Sequence, residues 1–360
     1  MKKRRAAVVG ATGVAGQQFL VALANHPWFE VTALAASSRS AGRTYGEAIR
    51  DANGARRWWC SEEPAEAHLK LPVQDATQLD PGTVDVVFSA VEAEPARELE
   101  PRYAAAVPVI STASAFRYET DVPLVQPGVN MVAHVPLVER QRKARGWKGF
   151  IIPTPNCTTV ALVISLKPLL DAFGVKRTLM TSMQGLSGAG RSPGVIGLDI
   201  LDNIIPYVPK EEEKVEKETG KILGRLGEGA IAPAPLSVGA TCTRAAVLEG
   251  HTLSIMVETE RPCDPAAAAA AMRAFRGDFA GLELPSAPRQ PIIVHDDPFR
   301  PQPRLDRDAD GGMATSVGRL RPEPALGNGL KYIALSHNTK MGAARGAVLV
   351  AEYLVKASLL

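Results

Sequence analysis

Apolar residues in this chain come first as short runs and later as longer alternating stretches. Arg5-Ala6-Ala7-Val8-Val9 suits a strand buried on both faces of a parallel sheet. A glycine-rich segment, Gly10 to Gly16, follows at once. From Gln17 to Asn25 the apolar residues Phe19, Leu20 and Leu23 recur at helical spacing. Val31–Ala35, Val84–Phe88 and Val107–Ile110 are further short apolar runs, and a helical stretch from about Ala96 to Ala105 separates the last two. Strands and helices alternating in this way predict an α/β fold built on a Rossmann-type, doubly wound parallel sheet.

The pattern changes near residue 150. Gly149–Ile152 predicts one more short strand, closed by Pro153-Thr154-Pro155, and Thr158–Phe173 predicts a long apolar helix. Val175–Met183 and Thr243–Glu258, the latter broken at Glu249-Gly250, alternate as strands do in a sheet covered on one face. Asp264-Pro265 caps a helix over Ala266–Phe275. The stretch 286–326 is rich in Pro and Arg and reads as loop, and Gly342–Val355 reads as a closing helix. The 360 residues therefore divide into two domains: 1–156, completed by the C-terminal helix within 340–360, and an α+β domain over 157–339.

Composition removes several classes of function. Forty-one Lys and Arg against 38 Asp and Glu give a formal charge of +3, without the basic excess of a dedicated nucleic-acid binder. Cys60, Cys157, Cys242 and Cys263 are too scattered for a disulfide framework and form no CxxC pair, so no metal site is expected. No apolar run reaches the roughly 18 residues of a membrane span. The basic start, Lys2 to Arg5, lacks a signal-peptide pattern, so a cytoplasmic location is expected and the cysteines remain thiols.

Five constellations bear on chemistry. Gly10-x-x-Gly13-x-x-Gly16 follows a predicted strand and opens a helix, the context in which glycines admit a pyrophosphate to free helix N–H groups. After the second strand, where NAD-binding folds place Asp or Glu, this chain has Ser37-Ser38-Arg39. Two hydroxyls and a guanidinium match a 2′-phosphate, which predicts NADP. Cys157, in Pro155-Asn156-Cys157-Thr158-Thr159, stands at a helix start, where dipole and N–H groups favour a nucleophilic thiolate. Arg244 is read as opening a strand, and His251 follows that strand's break as the candidate proton acceptor. Glu211-Glu212-Glu213-Lys214, in a charged run to Thr219, reads as a solvated helix face.

Three further segments complete the series: Ser114-Ala115-Phe116-Arg117, Gln184-Gly185-Leu186-Ser187-Gly188-Ala189-Gly190 and His337-Asn338-Thr339. In this order and spacing the motifs resemble the aspartate-semialdehyde dehydrogenase family, nearest its archaeal/fungal branch, over essentially the whole chain. The resemblance implies NADPH-dependent reduction of L-aspartyl 4-phosphate to the semialdehyde and phosphate, through a thioester on Cys157. His251 is implied as acid/base, Gln184 as orienting the thioester, and Asn156 as lying beside the oxyanion. Arg117 and Lys214 are implied as phosphate ligands, Arg244 as partner of the substrate carboxylate, and Glu211 as facing its amino group. The implied cofactor set is Gly10, Thr12, Gly13, Val14, Ala15, Ser37, Ser38, Arg39, Ser89 and Ala90, with Ser187, Gly188 and Asn338 at the nicotinamide end. Biosynthesis of the aspartate-derived amino acids, a small-molecule substrate and a homodimer or homotetramer are implied with them. One departure is Thr112, where the branch often has Asn. The alternatives are an acyl-CoA reductase of the malonyl-CoA type, with no need of Glu211 or Lys214, and a non-catalytic NADPH sensor, with no need of Cys157, Gln184 or His251.

Overall fold

The computed structural model describes residues 2–190 and 197–360. The first sheet contains β1 (Arg4–Val9), β2 (Phe29–Ala36), β3 (Val73–Asp75), β4 (Val86–Ser89), β5 (Val109–Ser111) and β6 (Ile151–Pro153). All are parallel, in the order β3-β2-β1-β4-β5-β6. This is the doubly wound order, with its switch point between β1 and β4.

Alternation along these strands assigns the two faces. Ala7, Val9, Val87, Val109 and Ile151 pack in one core with Ala96, Leu99 and Tyr103 of α2 (Ala93–Ala104). Ala6, Val8, Phe88, Ile110 and Ile152 face the other way, toward Phe19, Leu20 and Leu23 of α1 (Val14–Leu23). α1 begins three residues earlier than the apolar periodicity predicts, because Gly13 is its N-cap. α3 (Leu137–Arg145) ends where Gly146 turns left-handed at φ +67°.

The second sheet is mixed. It holds β7 (Val175–Gln184), β10 (Ser237–Arg244), β11 (His251–Thr259), β12 (Ile292–Val294), β13 (Thr315–Pro322) and β14 (Gly329–Ser336), in the order β10-β7-β11-β14-β13-β12. A short hairpin, β8 (Arg225–Leu226) with β9 (Ile231–Ala232), stands apart. α4 (Cys157–Phe173) and α6 (Pro265–Ala274) cover one face, and α5 (Glu211–Ile222) packs on β10 and α4. The closing helix, α7 (Arg345–Lys356), returns to the first sheet and packs on α1 and β5.

Two sequence expectations are corrected here. Arg244 ends β10 rather than opening a strand, and residues 245–250 form the connection to β11. The Pro- and Arg-rich stretch also contains β13. Its bulge at Arg319 (φ +58°) and its outward Arg319 and Arg321 hide the period-two signal.

Candidate active site

The reactive group is set by a helix cap. Asn156 Oδ1 accepts from the N–H groups of Thr158 (2.9 Å) and Thr159 (3.4 Å), which makes Asn156 the N-cap of α4 and Cys157 its first residue. Cys157 Sγ lies 3.2 Å from Nε2 of His251, the fully buried first residue of β11. The Gly185 N–H donates to His251 Nδ1 at 3.1 Å. A neutral ring held this way carries its own proton on Nε2, facing the sulfur.

Sheet register delivers the other groups to the same end. β10 and β7 pair Arg244 with Gln184, and β11 enters beside them at His251. Arg244 donates to the Gly185 carbonyl at 2.8 Å, and buried Gln184 donates to Ser182 Oγ at 3.3 Å. Gly188 passes so close that a Cβ there would lie 3.1 Å from His251 Cε1 and 3.2 Å from Arg244 Nη1. Asn338 clamps the approach to His251. Its Oδ1 accepts from Gly250 N–H at 2.8 Å and its Nδ2 donates to Ser187 Oγ at 2.9 Å.

The charged run is not a solvated face. Glu211 and Glu218 are buried on α5 with Val215 and Ile222. Glu211 accepts from Lys214 Nζ (2.8 Å) and Asn156 Nδ2 (2.7 Å). Buried Arg117 donates to Glu218 and to the Thr112 carbonyl, both at 2.9 Å, and its Nε has no partner among the described residues. At position 112 it is thus the main chain that holds Arg117, while the Thr112 hydroxyl donates to the Ser89 carbonyl at 3.3 Å. Glu218 and Lys221 were not singled out in the sequence. The available signal was two carboxylates, Glu211 and Glu218, sharing the i, i+4, i+7, i+11 stripe with Val215 and Ile222.

These neighbours set the titration. Burial and Glu211 push the Cys157 thiol up to about 12, against the pull of Arg244, Arg117 and Lys214. Burial and Arg244 push His251 down to about 3. Alkylation of Cys157 by iodoacetamide, followed on its own peptide by mass spectrometry, is therefore expected to accelerate from pH 6 to 10 without a plateau. Glu211→Gln removes a negative charge beside the sulfur and is expected to speed it severalfold at pH 7. A slower reaction in that variant would contradict this electrostatic account.

At the switch point the turn from β1 into α1 passes close to the end of β4. Gly10 takes φ +79°, and a Cβ there would come 2.5 Å from the Ala90 carbonyl. Thr12, Gly13, Val14 and Ala15 stand partly or fully exposed at the N-terminus of α1, and Ser37, Ser38 and Arg39 are exposed just beyond β2. The Ser89 side chain, at the end of β4, is fully buried. The glycine motif thus stands between a strand and the helix it opens, the context that the sequence predicts.

Comparison with known proteins gives the same reading. Residues 5–135 match the model of the semialdehyde dehydrogenase NAD binding domain, and residues 166–341 that of the semialdehyde dehydrogenase dimerisation domain. Aspartate-semialdehyde dehydrogenase of Methanothermobacter thermautotrophicus is 47% identical over 347 residues, covering 96% of this chain and 97% of the relative. The chain belongs to the aspartate-semialdehyde dehydrogenase family. The family's enzyme from Saccharomyces cerevisiae is 41% identical, with 99% of both chains covered. The crystal structure of aspartate-semialdehyde dehydrogenase with NADP from Candida albicans superposes with a TM-score of 0.88 at 40% identity, over 99% of this chain and 100% of that one. The resemblance seen in the sequence, and the Rossmann-type fold that the alternation of strands and helices predicts, are borne out. No described helix is long and apolar enough to cross a membrane.

Proposed function

We propose that this enzyme reduces L-aspartyl 4-phosphate with NADPH to L-aspartate 4-semialdehyde and phosphate, reversibly, in biosynthesis of the aspartate-derived amino acids. The observation that carries the proposal is Cys157 Sγ at 3.2 Å from His251 Nε2, ringed by Arg244, Arg117 and Lys214. A substrate anionic at both ends suits three cations gathered around one sulfur.

The roles that the family resemblance implies fit the charge and placement of these groups. Cys157 Sγ gives up its proton to solvent and attacks the acyl carbon as a thiolate, the C–O bond breaks with phosphate leaving as the anion, and a thioester remains on the enzyme. With Nδ1 held by Gly185, His251 stabilises the thiolate through Nε2–H and then offers that hydrogen to the oxygen on which charge develops. To take up a proton itself, the ring must release the Gly185 N–H. Arg117 and Lys214 hold the phosphate, Arg244 the α-carboxylate, and Glu211 the amino group. Gln184 orients the acyl oxygen. Asn156 fixes the first turn of α4, and its Nδ2 is drawn to Glu211. An acyl-CoA substrate would leave Glu211 and Lys214 without a use.

The cradle of Gly10, Thr12, Gly13, Val14, Ala15, Ser89 and Ala90 would hold the NADP pyrophosphate and neighbouring ribose. Ser37, Ser38 and Arg39 would meet the 2′-phosphate, and Ser187, Gly188 and Asn338 the nicotinamide end. When bound, NADPH supplies the hydride that reduces the thioester carbon. Collapse of the resulting thiohemiacetal breaks the C–S bond, releases the aldehyde and restores the thiolate.

The domain division follows the sheets, at 156/157, with α7 returned to the nucleotide-binding half. On the face of the second sheet away from α4, Leu179 is 47% and Met256 37% exposed. Together with the family's dimerisation domain, these two exposed apolar side chains support a homodimer, or a tetramer built from it, formed through the second sheet. Four free thiols suit a cytoplasmic enzyme. The test is spectrophotometric. Aspartate semialdehyde and phosphate together are expected to drive NADP reduction, with kcat/KM for NADP at least about tenfold above that for NAD. No reduction at all, or reduction indifferent to phosphate, would refute the assignment.

A further inference from the structure

Glu218 has a place in this site that none of the roles above uses. It is fully buried on α5, seven residues beyond Glu211. Its Oε1 accepts from Arg117 Nη1 at 2.9 Å and from the Tyr118 hydroxyl at 3.4 Å. Its Oε2 accepts from the main-chain N–H of Asn156 at 2.6 Å. The donors come from two segments far apart in sequence: the loop after β5, which carries Arg117, and the residue that caps the helix of the nucleophile.

We propose that Glu218 is a positioning residue for the phosphate-transfer half of the reaction: its carboxylate binds the Arg117 guanidinium and the Asn156 N–H at once, and so fixes the phosphate-binding cation relative to Cys157. The proposal rests on Arg117 as a phosphate ligand. The geometry makes the link specific. Among the described residues Arg117 has one other hydrogen-bond partner, the Thr112 carbonyl, which cannot balance its charge. With Nη1 on Glu218 and Nη2 on Thr112, the guanidinium is held at both ends of its fork, and its buried Nε has no partner among the described residues. On the other side the same carboxylate holds the residue before Cys157, so sulfur and guanidinium share one rigid reference.

The main chain of the Arg117 loop is secured separately. One turn further along α5, Lys221 Nζ donates to the carbonyls of Arg117, Glu119 and Val122, each at 2.8 Å. Removing the charge of Glu218 therefore releases the guanidinium while the loop backbone stays tied to α5. Glutamine at 218 has a single acceptor oxygen. It can serve Asn156 or Arg117, and its NH₂ then faces the other donor.

Initial-velocity kinetics in the oxidative direction, with phosphate, semialdehyde and NADP varied in turn, test this on the full chain. Glu218→Gln is expected to raise KM for phosphate about tenfold or more, with KM for NADP changed less than about twofold. Arg117→Ala is expected to raise the phosphate KM on its own. If it does not, the reading of Arg117 fails, whatever Glu218 does. In the double variant the Glu218→Gln effect is expected to vanish, because it acts through Arg117. A phosphate KM unchanged in Glu218→Gln, or an effect that persists undiminished on the Arg117→Ala background, overturns the proposal. Should Glu218→Gln not fold, Glu218→Asp serves. It keeps the charge but withdraws it by one methylene, and an unchanged phosphate KM there overturns the proposal equally.

Discussion

Cys157→Ser is expected to lower kcat by about 10⁴-fold or more while leaving the fold and NADP affinity intact. A serine fits the first position of α4, and the Asn156 cap does not involve the side chain that changes. What changes is the nucleophile. A hydroxyl is far harder to ionise than a thiol, and His251, the group against residue 157, is too weak a base to do it. His251 is pushed down to about 3 by burial and Arg244, and its Nδ1 is held by Gly185. The ring donates to whatever stands at residue 157. That arrangement stabilises a thiolate already formed, and it does little for an alcohol. An acyl adduct on the residue 157 peptide, trapped by rapid acid quench with aspartyl phosphate and read by mass spectrometry, is expected in the wild type alone. A serine variant that kept more than about a tenth of the wild-type kcat would show that the reaction does not depend on a thiolate at this position.

Much of this was legible in the chain because the decisive features are local. Parallel strands buried on both faces must be apolar runs, so β1, β2, β4, β5 and β6 announce themselves. Cys157 stands out by its helix start, and the glycine motif by its place between strand and helix. What escaped depends on distant partners. The carboxylates of α5 look like a solvated run until Arg117, 101 residues upstream, and Asn156, 62 residues upstream, are folded against Glu218. Which proton His251 carries is set by an N–H 66 residues before it. Arg244 was misplaced because the sequence from 243 to 258 alternates through a connection that the backbone does not form as strand. In that connection Val247 and Leu248 accept from Leu186 and Ser187 N–H instead, which brings the 184–190 segment over His251.

Gly16→Ala is expected to cost about 3 kcal/mol of stability or more and to raise KM for NADP at least about tenfold, with KM for semialdehyde much less affected. In an exposed helix the same change would stabilise by up to about 1 kcal/mol. Here the sign reverses, because the new methyl would lie 2.2 Å from the Gly10 carbonyl oxygen and 2.7 Å from Ala11 Cα. Both are backbone atoms, so no side chain can rotate out of the way. Nor can the turn recoil. Gly10 and Ala11 N–H donate to the Ala35 carbonyl at 2.8 and 3.1 Å, Tyr45 Oη donates to the Ala11 carbonyl at 2.9 Å, and Gly10 already abuts the Ala90 carbonyl. The strain must move α1 instead, and with it Thr12 to Ala15, the part of the cradle that meets the pyrophosphate. Gly13→Ala is the control. Its Cβ would meet only the Gly10 oxygen, at 3.4 Å, and the backbone there is extended, at φ −78°. Its melting temperature is expected within a degree or two of wild type, whereas that of Gly16→Ala falls by several degrees in a thermal scan without cofactor. Equal melting temperatures for the two variants would show that the turn yields where its contacts say it cannot.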